Sequence, residues 1–76
     1  MKRIRIKRFF TVPVYQHVPA QGSEQEGYRE RPREFVPGQI ERVYGHEGNF
    51  FKVKGGWGEL PADGWEWVGG PARRVN

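Results

Sequence analysis

The sequence contains no cysteine and no apolar run long enough to cross a membrane. Without cysteine, disulfide bonds and thiolate zinc sites are both excluded. A chain of 76 residues buries only about 60% of the surface that its unfolded form exposes, so side-chain packing must supply the stability. The basic start resembles the head of a signal peptide, but Pro13 interrupts the short apolar stretch after it. We expect one domain over residues 1–76, cytoplasmic and without a membrane segment.

Side chains suited to catalysis are also scarce. Thr11 and Ser23 carry the only hydroxyl groups apart from the tyrosines, and neither stands at triad spacing from a histidine and an acid. His17 and His46 fit no pattern of metal ligands. Residues 54–58 are rich in glycine but lack the Gly-Lys-Ser/Thr ending of a phosphate loop. We therefore expect no catalytic residue, no metal and no cofactor.

The aromatic residues and turn signals that are present concentrate between residues 49 and 68. All three tryptophans lie there, and we expect them in the core. Alternation places Phe51 and Val53 on one face of a strand, and Trp65 and Trp67 on one face of another. Eleven glycines and six prolines in the chain disfavour long helices. The pattern predicts strands packed around Phe51, Val53 and Trp65, with no helix longer than a turn or two.

About five short strands and several tight turns predict an all-β fold, a small five-stranded antiparallel barrel or strongly bent sheet. Residues 16–33 have little apolar content and no period, which predicts one long, mobile loop. Residues 71–76 form a short tail. Residues 35–68 contain a Pro-Gly turn, a strand ending in Val-Tyr-Gly, a hairpin into Phe-Lys-Val, and then Gly-Trp. This run resembles an SH3-like barrel, and the resemblance implies a fold without implying a function.

The first strand carries a basic stripe, because residues 1–22 hold five basic groups and no acid. Alternate side chains on one face lie about 6.6 Å apart, close to the phosphate spacing of an extended single strand. Guanidinium groups pair with phosphates, and an aromatic ring among them can stack on a base. A solvated edge strand, protected by its charge or paired with glutamates, is the plain alternative. We favour a non-catalytic nucleic-acid-binding protein that uses Arg3, Arg5, Lys7, Phe9, Lys52 and Lys54.

A protein-binding adapter or inhibitor is the close alternative. It would act through the 16–33 loop, where Tyr28 could pin the loop to the body, and through Tyr44 and Phe50. Exposed rings of this kind form hydrophobic spots used in protein recognition. If Glu66 lies opposite Lys52, however, that face holds an ordinary ion pair. The size and lack of cysteine would suit a phage or plasmid accessory protein, and the partner is a nucleic acid or a protein.

Overall fold

The computed structural model describes residues 2–20, 22 and 27–69, and this part of the chain contains strands and turns but no helix. The strands are β1 (Lys2–Ile6), β2 (Phe10–Val18), β3 (Gly27–Phe35), β4 (Ile40–Val43), β5 (Gly45–Glu47), β6 (Phe50–Val53), β7 (Gly56–Glu59) and β8 (Trp65–Val68). They form a three-stranded sheet in the order β4-β1-β8 and a five-stranded sheet in the order β3-β2-β7-β6-β5. All pairings are antiparallel. The all-β antiparallel prediction is confirmed, but there are more than five strands and they do not close into a barrel.

One apolar core lies between the two sheets, since alternate residues of each sheet point into it. Phe51 and Val53 are buried as predicted, and Trp65 packs against them while partly exposed. The prediction that all three tryptophans lie in the core is wrong for two of them, because Trp57 is 37% and Trp67 41% exposed. The buried apolar residues are Ile4, Ile6, Phe10, Val14, Phe35, Val43, Phe51, Val53 and Leu60.

The chain passes from the first sheet to the second at residues 7–9. The amide of Lys7 donates to the carbonyl of Gly64 at 2.8 Å. Arg8 donates to both carboxylate oxygens of Asp63, at 2.8 and 3.2 Å. These hydrogen bonds from Arg8 hold the pKa of Asp63 below its usual value. Arg8 and the amide of Lys7 therefore hold this corner of the fold together.

The predicted loop over residues 16–33 is largely a long hairpin. β2 and β3 pair from Phe10 opposite Phe35 to Val18 opposite Gly27, and the two phenylalanine rings stack at 5.0 Å. The loop prediction is therefore wrong for residues 16–18 and 27–33, whereas residues 21 and 23–26, like the predicted tail over residues 71–76, lie outside the described part. Backbone pairing holds these strands together although most of their side chains are exposed, so the sequence carries no hydrophobic period there.

A close backbone contact joins this hairpin to β7. The two strands pair at Val14 opposite Gly58 and at Tyr15 opposite Trp57. Next to this ladder, Gly56 has φ of 133°, and a Cβ atom there would overlap the carbonyl oxygen of Tyr15. Only glycine allows β7 to approach β2 in this way. The contact brings Tyr15 and Trp57 side by side on the surface.

Candidate binding surfaces

Three exposed aromatic side chains lie together on the outer face of the five-stranded sheet. Directly opposite residues of an antiparallel pair project from the same face, and Trp57 lies opposite both Lys52 of β6 and Tyr15 of β2. Phe50 shares this face because it lies two residues from Lys52. Tyr15, Phe50 and Trp57 are 40%, 46% and 37% exposed. We refer to these three residues as the aromatic face.

Shallow depressions lie on both sides of Trp57. The first has a volume of about 510 Å³ and is lined by Glu47, Phe50 and Trp57. The second, of about 400 Å³, is lined by residues of β2, β3, β6 and β7 that include Tyr15, Tyr28 and Trp57. Tyr28 is the most exposed of these rings and lies opposite His17, with the ring centroids 5.5 Å apart. A ligand lying across Trp57 could occupy both depressions.

Acidic side chains surround the aromatic face. Glu30 lies directly opposite Tyr15, and Glu47 and Glu59 lie on either side of Phe50. Glu34, opposite Thr11, projects from the same face of the hairpin. Lys52, opposite Trp57, is a basic residue on the same face. This surface therefore favours a neutral or basic ligand over a polyanion.

Arginines occupy the outer face of the three-stranded sheet. Arg3 lies directly opposite Arg42 of β4, and Arg5 lies opposite Glu66 of β8. Arg5 and Glu66 form an ion pair at 2.9 Å, with each side chain about half exposed. Neither Arg3 nor Arg42 has an acidic partner among the described residues. Because β1 is the central strand of its sheet, the alternative of a charged edge strand is wrong. The other alternative, cross-strand pairing with glutamate, is present at Arg5.

The residues predicted to bind nucleic acid do not form one surface. Arg3 and Arg5 lie together on β1, but Lys7 and Phe9 follow the end of that strand at the corner between the sheets. Lys52 and Lys54 belong to β6 and the turn after it, in the other sheet. The alternative pairing of Lys52 with Glu66 is also wrong, since Glu66 binds Arg5. Alternation places side chains on a common face only within one strand. The prediction places Lys7 and Phe9 on the face of Arg3 and Arg5, but β1 ends at Ile6.

The residues predicted to bind protein are partly brought together. Phe50 belongs to the aromatic face, and Tyr28 lines a depression beside it. Tyr44 lies away from the aromatic face, at the break between β4 and β5. It lines a separate depression of about 250 Å³ with Lys2 and His46. Alternation within single strands does not identify Tyr15 and Trp57 as members of this surface. The glycines on both sides of Trp57 were the available signal, because a Cβ atom at Gly56 or Gly58 would press against the backbone of β2.

Trp67 belongs to an aromatic cluster at the rim of the core. The ring of His46 stacks on Phe51 at 4.6 Å and meets the edge of Trp67 at 5.2 Å. His46 Nε2 is 2.7 Å from the carbonyl oxygen of Gly48, which holds the imidazole in place. The ammonium group of Lys2 lies 5.5 Å from the ring centroid of Trp67. The cluster packs one end of the core and is distinct from the aromatic face.

Comparisons with models of protein families, with curated proteins and with solved structures found no match. Within residues 2–20, 22 and 27–69, no three histidine, aspartate or glutamate side chains are grouped so that they could hold a metal ion. The same residues contain no helix that is long and apolar enough to span a bilayer.

Proposed function

We propose that this protein is a non-catalytic, cytoplasmic binding module that takes an extended segment of a partner polypeptide on its aromatic face. The observation that supports this proposal is the exposure of Tyr15, Phe50 and Trp57 on one face of three adjacent strands. Tryptophan and tyrosine are enriched among the residues that dominate binding energy at protein interfaces. Their rings offer a large contact area at a low cost in conformational entropy.

The shape and charge of the surface support a polypeptide as the ligand. An extended chain can place side chains in the depressions on either side of Trp57 while its backbone crosses the ring. Glu30, Glu47 and Glu59 lie around these depressions, and they would repel the phosphates of a nucleic acid. The same carboxylates attract a segment that carries lysine or arginine.

Selection from a library of random linear peptides tests the proposal. The full chain is immobilised, enriched peptides are synthesised, and their affinities are measured by calorimetry for the wild type and for Trp57→Ala. We expect saturable binding and a loss of about 30-fold in the variant, which corresponds to a hot spot of about 2 kcal/mol. Phe50→Ala should also weaken binding, because Phe50 lines one of the two depressions.

Ile40→Ala is the matched control. Ile40 is 45% exposed and projects from the outer face of the other sheet, opposite Arg5. Its replacement removes a similarly exposed apolar side chain without touching the aromatic face, so peptide affinity should not change. Thermal unfolding of each variant checks that the fold is intact. Binding that survives Trp57→Ala and Phe50→Ala in folded proteins, or that is lost in Ile40→Ala, would refute the proposal.

A further inference from the structure

The β2–β3 hairpin has two faces of different chemistry. Alternate residues of β3 place Arg29, Arg31 and Arg33 on one face, and Glu30 and Glu34 on the other. The arginines face the core side of the hairpin, where their cross-strand neighbours are Gln16, Val14 and Val12. No acidic residue shares this face of the two strands. The hairpin is therefore basic on the side opposite to the aromatic face.

Arg33 anchors the hairpin to the three-stranded sheet. Its guanidinium donates to both carboxylate oxygens of Glu41 in β4, at 2.6 and 2.8 Å, and to the carbonyl of Lys54 at 3.2 Å. Arg31 and Arg29 follow at successive steps of about 6.6 Å along the same face. Both are exposed and have no ion-pair partner in the described part of the chain. Two guanidinium groups thus project from the hairpin beyond a fixed anchor.

A second pair of arginines lies on the three-stranded sheet. Arg3 and Arg42 are directly opposite each other on β1 and β4 and are exposed. Like charges in this position destabilise a sheet. A bound anion would remove the repulsion, and two guanidinium groups side by side provide several donors for one phosphate.

Both pairs lie on the same side of the molecule. Buried residues of both sheets form one core cluster, so the three-stranded sheet packs against the core side of the five-stranded sheet. We infer that its outer face points away from the aromatic face. The arginine face of β3 is also the core side of its sheet, and Arg33 joins it to β4. We name Arg3, Arg29, Arg31 and Arg42 the basic side. Peptide binding on the aromatic face makes no use of these four residues.

We propose that the basic side binds the phosphate backbone of a single-stranded nucleic acid. The four arginines belong to a sheet and to a projecting hairpin, and a flexible strand can follow both elements more readily than a rigid duplex. On the outer face of the three-stranded sheet, the described residues of β1, β4 and β8 place Ile40 and Val68 beside the arginines and no ring on which a base could stack. The basic side would therefore recognise the phosphates of the strand, independently of its base sequence. This site is separate from the proposed peptide site, and either can exist without the other.

Fluorescence anisotropy with labelled oligothymidylate over a series of salt concentrations tests this second proposal. Four phosphate contacts on a single strand predict a log–log slope of about −2.8, at about −0.7 per contact. The double variant Arg3→Gln/Arg42→Gln should bind more weakly and have a slope shallower by about 1.4. Arg29→Gln/Arg31→Gln should behave in the same way. Thermal unfolding should show that both variants remain folded, and removal of the Arg3–Arg42 repulsion should not lower the midpoint.

The matched control is Lys52→Gln/Lys54→Gln, which removes the same charge from the five-stranded sheet. The affinity of this control for oligothymidylate should fall less than that of either arginine variant. The log–log slope against salt concentration should stay at the wild-type value. An equal loss in this control would show that net charge alone governs binding and would overturn the assignment of the site. Absence of saturable binding near physiological salt would overturn the proposal itself. Tighter binding to a duplex of the same length would overturn the choice of a single strand.

Discussion

Phe51→Ala is expected to lower the free energy of unfolding by about 3–5 kcal/mol, which is most of the stability of a domain this small. The Phe51 side chain is fully buried. Its ring lies 4.6 Å from that of His46 and 4.7 Å from that of Trp65, measured between centroids. Alanine would leave a cavity that both sheets border. Urea denaturation followed by tryptophan fluorescence measures the change.

The neighbouring phenylalanine is the control for this prediction. Phe50 lies on the same strand but projects from the outer face and is 46% exposed. Phe50→Ala removes the same atoms without opening a cavity, so it should cost less than about 1 kcal/mol. If Phe51→Ala costs no more than Phe50→Ala, the two faces of β6 are assigned the wrong way round.

Arg33→Met is expected to lower the free energy of unfolding by about 3 kcal/mol, since it leaves a buried carboxylate without its counter-ion. The Glu41 side chain is only 7% exposed. Among the described residues, it would keep only the hydrogen bond donated by Gln39 Nε2 at 3.0 Å. The guanidinium also lies 4.7 Å from the ring centroid of Phe35, a contact that methionine replaces only in part. Urea denaturation again measures the change in the free energy of unfolding.

The double variant Arg33→Met/Glu41→Leu separates the loss of the pair from the cost of an unpaired charge. Replacing both partners of a buried ion pair by apolar residues is often neutral or stabilising. The double variant should therefore recover most of the stability lost in Arg33→Met. A double variant less stable than Arg33→Met, or a single variant within about 0.5 kcal/mol of the wild type, would show that Glu41 is not held by this pair.

The parts of the fold that could be predicted are those in which alternation coincides with burial. Ile4, Ile6, Phe51 and Val53 are apolar, alternate with charged residues and are buried. The turn at residues 36–39 is present, with the amide of Gln39 donating to the carbonyl of Val36 at 3.1 Å. β3 could not be predicted in this way, since its mostly exposed residues give no apolar period. Its pairing with β2 is a backbone interaction that side-chain patterns do not record.

The candidate surfaces depend on contacts between distant parts of the sequence. Tyr15 and Trp57 become neighbours only through the pairing of β2 with β7, and Arg3 and Arg42 only through that of β1 with β4. Phe50 could be predicted as exposed because it alternates with Phe51 on one strand. A pattern within one strand identifies its outward residues, whereas the neighbours of those residues are set by the order and register of the sheet.

We propose that the two sides of the protein bind different classes of ligand, a polypeptide on the aromatic face and a single-stranded nucleic acid on the basic side. Amide chemical shifts of the isotope-labelled chain, recorded during separate titrations with a selected peptide and with oligothymidylate, test it most directly. We predict that the peptide shifts the amides of Tyr15, Lys52 and Trp57, and that the oligonucleotide shifts those of Arg3 and Arg42. Oligonucleotide shifts concentrated at Tyr15 and Trp57, with those of Arg3 and Arg42 unchanged, would contradict the account.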